Sequence, residues 1–215
     1  YEIRNCDWSS DVCSSDLQTI DVGPYQALVQ RVSYTGDLGY EIYVNADEQY
    51  GLYQVLAQAG EAHGMRPFGM RAMMSLRLEK FFGSWMREFR PDYLPAETGM
   101  DRFVSYNKPV DFIGKAAAAA EKSAGPARIL CAFAVDALDA DVVADEPIFD
   151  GDAVVGFVTS GGYAHYSQQS VALGFIPTEM AKDGRQFTIE ILGQRRPATL
   201  ISTPLVDADG SRMRG

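Results

Sequence analysis

Three stretches decide how this chain folds: RVSYTGDLGYEIYV at 31–44, GMRAMMSLRLEKFFGSWMREF at 69–89 and PAETGMDRFVSYNKPVDFIGK at 95–115. In the first of them, residues 27–34 alternate apolar and polar side chains. A Gly-bounded loop of four residues follows at 36–39, and then a second β-rich run. This pattern predicts a β-hairpin in which Tyr34 lies opposite Glu41, so that a phenol and a carboxylate share one face.

Helical periodicity accounts for most of the chain between the hairpin and residue 125. It predicts three helices, over residues 47–63, 69–80 and 114–123. Asp47 is the expected N-cap of the first helix, and Gly64 is its expected stop. The mixture of Pro, Gly and aromatic residues over 83–112 indicates an irregular crossover.

The character of the sequence changes after a Ser-Ala-Gly-Pro break at 123–126. Six short strands are predicted beyond it, at 128–135, 146–149, 153–159, 170–176, 186–192 and 196–203. Asp-Gly and Gly-Gly turns separate them, which is typical of a small antiparallel β-barrel. The expected fold class is therefore α+β, with a partial α+β domain over 18–125 and a small antiparallel β-barrel over 126–215.

The segment DWSSDVCSSDL at 7–17 resembles one reading frame of a sequencing-library adapter. It is polar and has neither a helical nor a strand period. We therefore expect residues 1–17 to be foreign to the natural protein, and residues from 18 onward to be authentic. On this interpretation the natural protein is longer at its N-terminus, and PLVDADGSRMRG is its true C-terminal end.

Composition excludes several classes of partner. The net charge of −10 argues against nucleic acid or an anionic membrane as the main partner. No apolar run approaches the roughly 20 residues that span a bilayer. Cys6 and Cys13 lie in the suspect segment, which leaves Cys131 as an expected buried, inert thiol. His63 and His165 stand alone, so no metal site is expected.

The order and spacing of YTGDLGYE, SLRLEK, GSWMREFRPDYLPAETG and, later, VTSGGY resemble the glycine-cleavage T-protein (aminomethyltransferase) family. The resemblance is closest to the C-terminal, folate-binding half of dimethylglycine and sarcosine dehydrogenases, and it covers nearly all of 18–215. It implies a partial T-protein-like folate-binding domain at 18–125, followed by the family's terminal barrel. It also implies tetrahydrofolate as cofactor, with FAD only in a missing N-terminal domain.

The resemblance also implies which residues bind the pterin. It places the family's pterin-binding carboxylate at Glu41, its neighbouring aromatic residue at Tyr34 and a pocket aromatic residue at Phe82. One ionised carboxylate can accept both parallel donors of a pterin edge, a ring N–H and an exocyclic amine. Trp85 and Glu97 either line the pocket or pack the crossover.

The chain departs from the family pattern in two places. Met73 stands where many members carry a folate-contacting Arg, and Arg71 lies about 200° away around the helix, so it cannot substitute. This departure favours the dehydrogenase-linked branch. Arg77 and Glu79 are expected to form a structural ion pair. No part of the chain matches the family's essential Asp, so no catalytic residue is expected here.

The expected function is that of a C-terminal fragment of a tetrahydrofolate-dependent aminomethyltransferase-like enzyme. It would be the folate half of a flavin-linked dimethylglycine or sarcosine dehydrogenase that captures a one-carbon unit as methylene-tetrahydrofolate. Its expected partners are folate, an N-methyl amine and the missing N-terminal part of its own chain.

Three alternatives stay open. They are a glycine-cleavage T-protein or related methyl-sulfonium demethylase, a non-catalytic folate-binding scaffold, and a fragment that is inactive alone. The expected location is the cytoplasm of a bacterium, or the mitochondrial matrix of a eukaryote.

Overall fold

The computed structural model describes residues 17–214, which form a mixed helix and strand structure as the sequence predicts. The elements follow in the order β1 (Leu17–Val22), β2 (Tyr25–Arg31), β3 (Tyr40–Tyr43), α1 (Gln49–Glu61), α2 (Met70–Glu79), α3 (Lys115–Ala124), β4 (Arg128–Val135), β5 (Pro147–Asp150), β6 (Ala153–Ala164), β7 (Gln169–Pro177), β8 (Gln186–Ile191), β9 (Gln194–Ile201) and α4 (Ser211–Arg214). Short 3₁₀ turns lie at Asp101–Phe103 and Thr178–Met180.

The adapter-like stretch lies outside the described residues, apart from Leu17, which is the first residue of β1. That residues 1–17 are foreign therefore stays a prediction. Strand β1 itself was not expected from the sequence. It pairs antiparallel with β2, from Leu17 opposite Gln30 to Val22 opposite Tyr25.

The chain divides into two compact units. One takes residues up to Met73 together with the C-terminal stretch from Asp209, and the other takes Met74–Ala208. The division lies within α2 and not at the predicted domain boundary after residue 125, which stays a prediction.

The first unit is an antiparallel sheet in the order β1-β2-β3, with α1 packed on one face. Gly51 of α1 allows close approach to the sheet, because a Cβ there would lie 1.9 Å from the Tyr25 hydroxyl oxygen. Ala27 and Leu52 are buried on this face. The prediction of Asp47 as N-cap is wrong, because the N-cap of α1 is Glu48. The Glu48 side chain makes no capping hydrogen bond and instead accepts hydrogen bonds from the backbone N–H and the side-chain amide of Asn45.

The second unit contains a closed antiparallel barrel in the order β4-β7-β6-β5-β8-β9, with β9 returning to β4. The predicted bounds of β4 are confirmed. Alternate residues of this strand point inward, so that Phe133 and Val135 join the barrel core while Leu130 and Ala132 face outward. Burying one such aromatic or aliphatic side chain stabilises a fold by about 1.5–3 kcal/mol.

The outer face of the barrel is also apolar where the segment after Met73 packs on it. Leu78 of α2 packs against Ala132 and Leu173, with Phe81 beside them. A strand that is covered on both faces needs apolar residues at successive positions, which explains the run ILCAFAV.

A β-bulge in β6 changes where its side chains point. Val158 pairs with Gly174 and Ser160 pairs with Leu173, so Thr159 is the extra residue. The Thr159 hydroxyl donates to the Leu173 carbonyl at 3.1 Å. Ser160 is consequently directed at a buried acid of the crossover, described below.

Candidate functional site

The loop before Glu41 is longer than the sequence predicts. The Val32 N–H donates to the Gly39 carbonyl at 3.1 Å, so residues 32–39 all lie outside the strands. Gly36 has a φ of +91°, which few other residues adopt, and its N–H donates to the Ser33 hydroxyl oxygen at 2.9 Å. The loop therefore has eight residues, four more than the predicted loop at 36–39.

The predicted pairing of Tyr34 with Glu41 is therefore wrong. Glu41 lies opposite Gln30 of β2, and Tyr34 is a half-buried residue of the loop. The partner phenol of Glu41 is instead Tyr43, two residues further along β3. Its hydroxyl donates to Glu41 Oε2, since alternate residues of a strand lie on one face.

Glu41 and Tyr43 lie on the face of the sheet away from α1. Both side chains are exposed, as is Leu28, which lies opposite Tyr43. The hydrogen bond to Glu41 raises the pKa of the Tyr43 phenol above its ordinary value of 10.0. A carboxylate offers about four lone pairs, so Glu41 keeps acceptor capacity for two further donors.

Phe82 and Trp85 belong to the second unit and follow α2. Phe82 is half-buried, and the Lys80 ammonium lies 5.9 Å from its ring centroid. Trp85 is 83% exposed and meets Phe89 edge-on, with ring centroids 6.4 Å apart. Trp85 thus touches the crossover through Phe89 but buries little of its surface there. That Phe82 and Trp85 line a folate pocket stays a prediction.

The crossover carries a buried ionic cluster that involves the SLRLEK motif. Arg77 and Glu88 are 1% and 0% exposed, and Arg77 Nη1 lies 3.5 Å from Glu88 Oε2. Glu88 also accepts from the Ser84 N–H at 2.8 Å and from the Ser160 hydroxyl. Arg77 Nη1 donates to the Phe82 carbonyl at 2.9 Å.

The expected ion pair between Arg77 and Glu79 is wrong, because Glu79 binds backbone. It is 2% exposed and accepts the N–H groups of Tyr166 and Ser167 at 2.9 and 3.1 Å. A buried carboxylate satisfied by backbone donors fixes the turn between β6 and β7, and this role is structural.

Glu97 is a buried member of the crossover. It is 8% exposed, pairs with Arg128 at 2.8 Å and accepts the Leu94 N–H at 2.8 Å. Its own carbonyl accepts the Leu130 N–H at 2.7 Å. These bonds tie the crossover to the start of β4.

A cavity of about 320 Å³ lies where β4 and β9 diverge. Cys131 and Phe81 line it, with Asp183 and Ser202 at one side. Burial raises the pKa of the Cys131 thiol to about 11, as expected for an unreactive cysteine. His63 and His165 are both exposed, and no metal-binding group of acidic, His or Cys side chains occurs among residues 17–214.

Two family models match the chain, the GCVT N-terminal domain over residues 4–108 and the glycine cleavage T-protein C-terminal barrel domain over residues 128–207. The chain belongs to the glycine-cleavage T-protein family. The first match begins at residue 4, within the stretch 1–17 that the sequence predicts to be foreign. It ends at residue 108, and the second match begins at residue 128.

Relatives of two kinds share this family. The mitochondrial dimethylglycine dehydrogenase of Mus musculus is 40% identical over 207 residues, which cover 95% of this chain and 24% of that protein. The aminomethyltransferase of Natranaerobius thermophilus is 31% identical over 188 residues, which cover 87% of this chain and 51% of that protein. The chain thus spans about a quarter of the dehydrogenase and about half of the aminomethyltransferase.

A solved structure agrees with the fold of this T-protein family chain. It is the glycine cleavage system aminomethyltransferase T from Bartonella henselae, with a TM-score of 0.76 at 25% sequence identity. The match covers 85% of this chain and 50% of that one. In the part of the chain that the structure describes, no helix is long and apolar enough to cross a membrane.

Sequence reasoning missed two residues of this region, Tyr43 and Glu88. The alternation of β3 could have indicated Tyr43, because residues two apart in a strand share a face. No local pattern indicates the bond of Glu88 to Ser160, which lies 72 residues away.

Proposed function

We propose that this chain contributes the pterin-binding wall of a tetrahydrofolate-dependent one-carbon transferase, in an enzyme that also oxidises an N-methyl amine. The observation that carries the proposal is the position of Glu41. Its carboxylate lies on the uncovered face of a sheet, within the YTGDLGYE motif, and keeps lone pairs for ligand donors.

Membership of the T-protein family supports folate as the ligand. The identity of 40% to a dimethylglycine dehydrogenase, over nearly the whole chain, supports the link to amine oxidation. In such an enzyme a flavin outside this chain would supply the oxidation, and the reduced folate would accept the one-carbon unit as methylene-tetrahydrofolate.

The residues of this chain then act by binding and orientation. Glu41 would accept the ring N–H and the exocyclic amine of the pterin, which fixes the direction of the folate. Phe82, Tyr34 and Trp85 would supply aromatic surface. Holding the two reactants together replaces a bimolecular encounter by a local one, and this needs no protein nucleophile. We therefore expect the 215-residue chain by itself to be inactive.

The test is Glu41→Ala in the full-length protein. Folate-stimulated turnover should be lost while oxidation of the N-methyl amine continues at its original rate. Glu48→Ala is a suitable control, because Glu48 is also a carboxylate of the first unit but lies at the start of α1. Unchanged folate affinity of the Glu41→Ala protein, measured by calorimetry, would overturn the assignment.

A second candidate is an aminomethyltransferase without a flavin partner. Similarity to the Natranaerobius enzyme and to the Bartonella structure favours it. The two candidates differ in one assay, since only the first gives oxidation of dimethylglycine or sarcosine by the purified full-length protein. A mitochondrial or a bacterial cytoplasmic location fits both.

A further inference from the structure

We infer that Tyr43 is a positioning residue that holds the Glu41 carboxylate in place for the pterin. This inference rests on the proposed function, in which Glu41 accepts two donors of a folate. The two side chains lie two residues apart on one face of β3, and the Tyr43 hydroxyl donates to Glu41 Oε2.

The need for such a residue follows from the exposure of Glu41. A glutamate on an open sheet face samples several rotamers, and fixing one of them costs conformational entropy when a ligand binds. A two-donor ligand tolerates little error, because both carboxylate oxygens must meet both donors at once. A partner that holds the carboxylate beforehand reduces this cost.

Tyr43 is suited to this task. Its ring has only two side-chain torsions and lies beside Leu28 of the neighbouring strand, which is at the opposite register position. Its hydroxyl uses one lone pair of Oε2 and leaves the remaining ones for the ligand. The register position opposite Glu41 carries the uncharged Gln30, so no basic side chain at that position competes for the carboxylate.

The hydrogen bond between Tyr43 and Glu41 also changes the pKa of the Tyr43 phenol. The hydrogen bond to Glu41 is the largest cause of the raised pKa of Tyr43, and burial and the Glu41 charge act in the same direction. Glu41→Gln should therefore move the Tyr43 pKa back toward 10.0. This shift can be followed in the protein without ligand, through the ring ¹³C resonances of labelled tyrosine.

The test compares four variants of the full-length protein for binding of folinic acid, an air-stable reduced folate. Tyr43→Phe removes the hydroxyl and keeps the ring, so affinity should fall about five-fold. Tyr40→Phe is the matched control, because Tyr40 lies on the same strand with its side chain on the opposite face. Its affinity should equal that of the wild type.

The remaining variants show whether Tyr43 acts through Glu41. In the Glu41→Ala background, Tyr43→Phe should have no further effect on affinity. A further loss of the same size in that background would overturn the positioning role. If Glu41→Ala weakens binding and Tyr43→Phe does not, this inference fails and the proposed function survives. If Glu41→Ala binds folinic acid as well as the wild type does, the proposed function fails.

Discussion

Replacing Glu88 with alanine should destabilise the barrel-containing unit by about 3–5 kcal/mol. The substitution leaves the Arg77 guanidinium, which is 1% exposed, with the Phe82 carbonyl at 2.9 Å as its acceptor. It also removes the acceptor of the Ser84 N–H and of the Ser160 hydroxyl. Each orphaned buried donor costs about 1–3 kcal/mol, although these losses overlap with the loss of the ion pair.

Three further substitutions separate the causes. Arg87→Ala removes the partner of Asp145 in an ion pair whose side chains are 47% and 80% exposed, and it should cost less than about 1 kcal/mol. Glu88→Gln keeps the volume and one acceptor, so its cost should be intermediate. Replacing Arg77 with Met and Glu88 with Leu together removes both charges of the pair, and this double substitution should cost less than Glu88→Ala alone.

The assay is urea unfolding at equilibrium, followed by far-UV circular dichroism and by tryptophan fluorescence. Trp85 lies in the same unit as Glu88 and contacts Phe89 of the crossover, while circular dichroism follows the unit as a whole. Comparing the urea concentrations at the unfolding midpoints, with one m-value for all variants, gives the change in the free energy of unfolding. If Glu88→Ala costs no more than Arg87→Ala, the buried ion pair is not what holds the crossover.

The remaining predictions concern chemistry and packing. The Cys131 thiol, with a pKa of about 11, should react with iodoacetamide about 100-fold more slowly at pH 8 than in the urea-unfolded chain, and peptide mapping by mass spectrometry measures this. Gly156→Ala should destabilise the barrel by about 1–3 kcal/mol because its Cβ would lie 2.0 Å from a backbone oxygen, whereas Gly69→Ala meets nothing and should be neutral in the same thermal melt. Folding raises the pKa of the Tyr43 phenol, so the stability that its hydrogen bond contributes is fully present below pH 10 and is lost as the pH rises through the raised pKa. Tyr43→Phe should therefore weaken the loss of stability at alkaline pH. An unchanged dependence of stability on pH would contradict this prediction.

The barrel was largely predictable because its signals are local. Strand β4 keeps its predicted bounds, since a Gly-Pro break precedes an apolar run that alternates between the barrel core and the outer face. Turn residues mark the remaining strands in the same way. Strand β1 was missed because its first residue, Leu17, had been set aside and the remaining five, QTIDV, are too few and too polar to show a clear alternation.

The candidate site was predicted only in part, because it depends on loop length and on distant partners. The motif indicated Glu41, but the internal turn of Gly36 on Ser33 lengthens the loop and moves Tyr34 away from the strand. No local sequence pattern predicts the number of residues in a loop this accurately. The partner of Arg77 could not be predicted either, because Glu88 lies beyond the end of α2, where helical periodicity no longer predicts which side chains meet.

The central claim is that the Glu41 carboxylate binds the paired donors of a pterin. Its most direct test is calorimetric titration of tetrahydrofolate into the full-length protein and its Glu41→Gln variant, repeated with an analogue that lacks the exocyclic amine. The account predicts a loss of about 2 kcal/mol, or thirty-fold in affinity, for Glu41→Gln with tetrahydrofolate and a much smaller loss with the analogue. Equal affinities of the two proteins for tetrahydrofolate would contradict it.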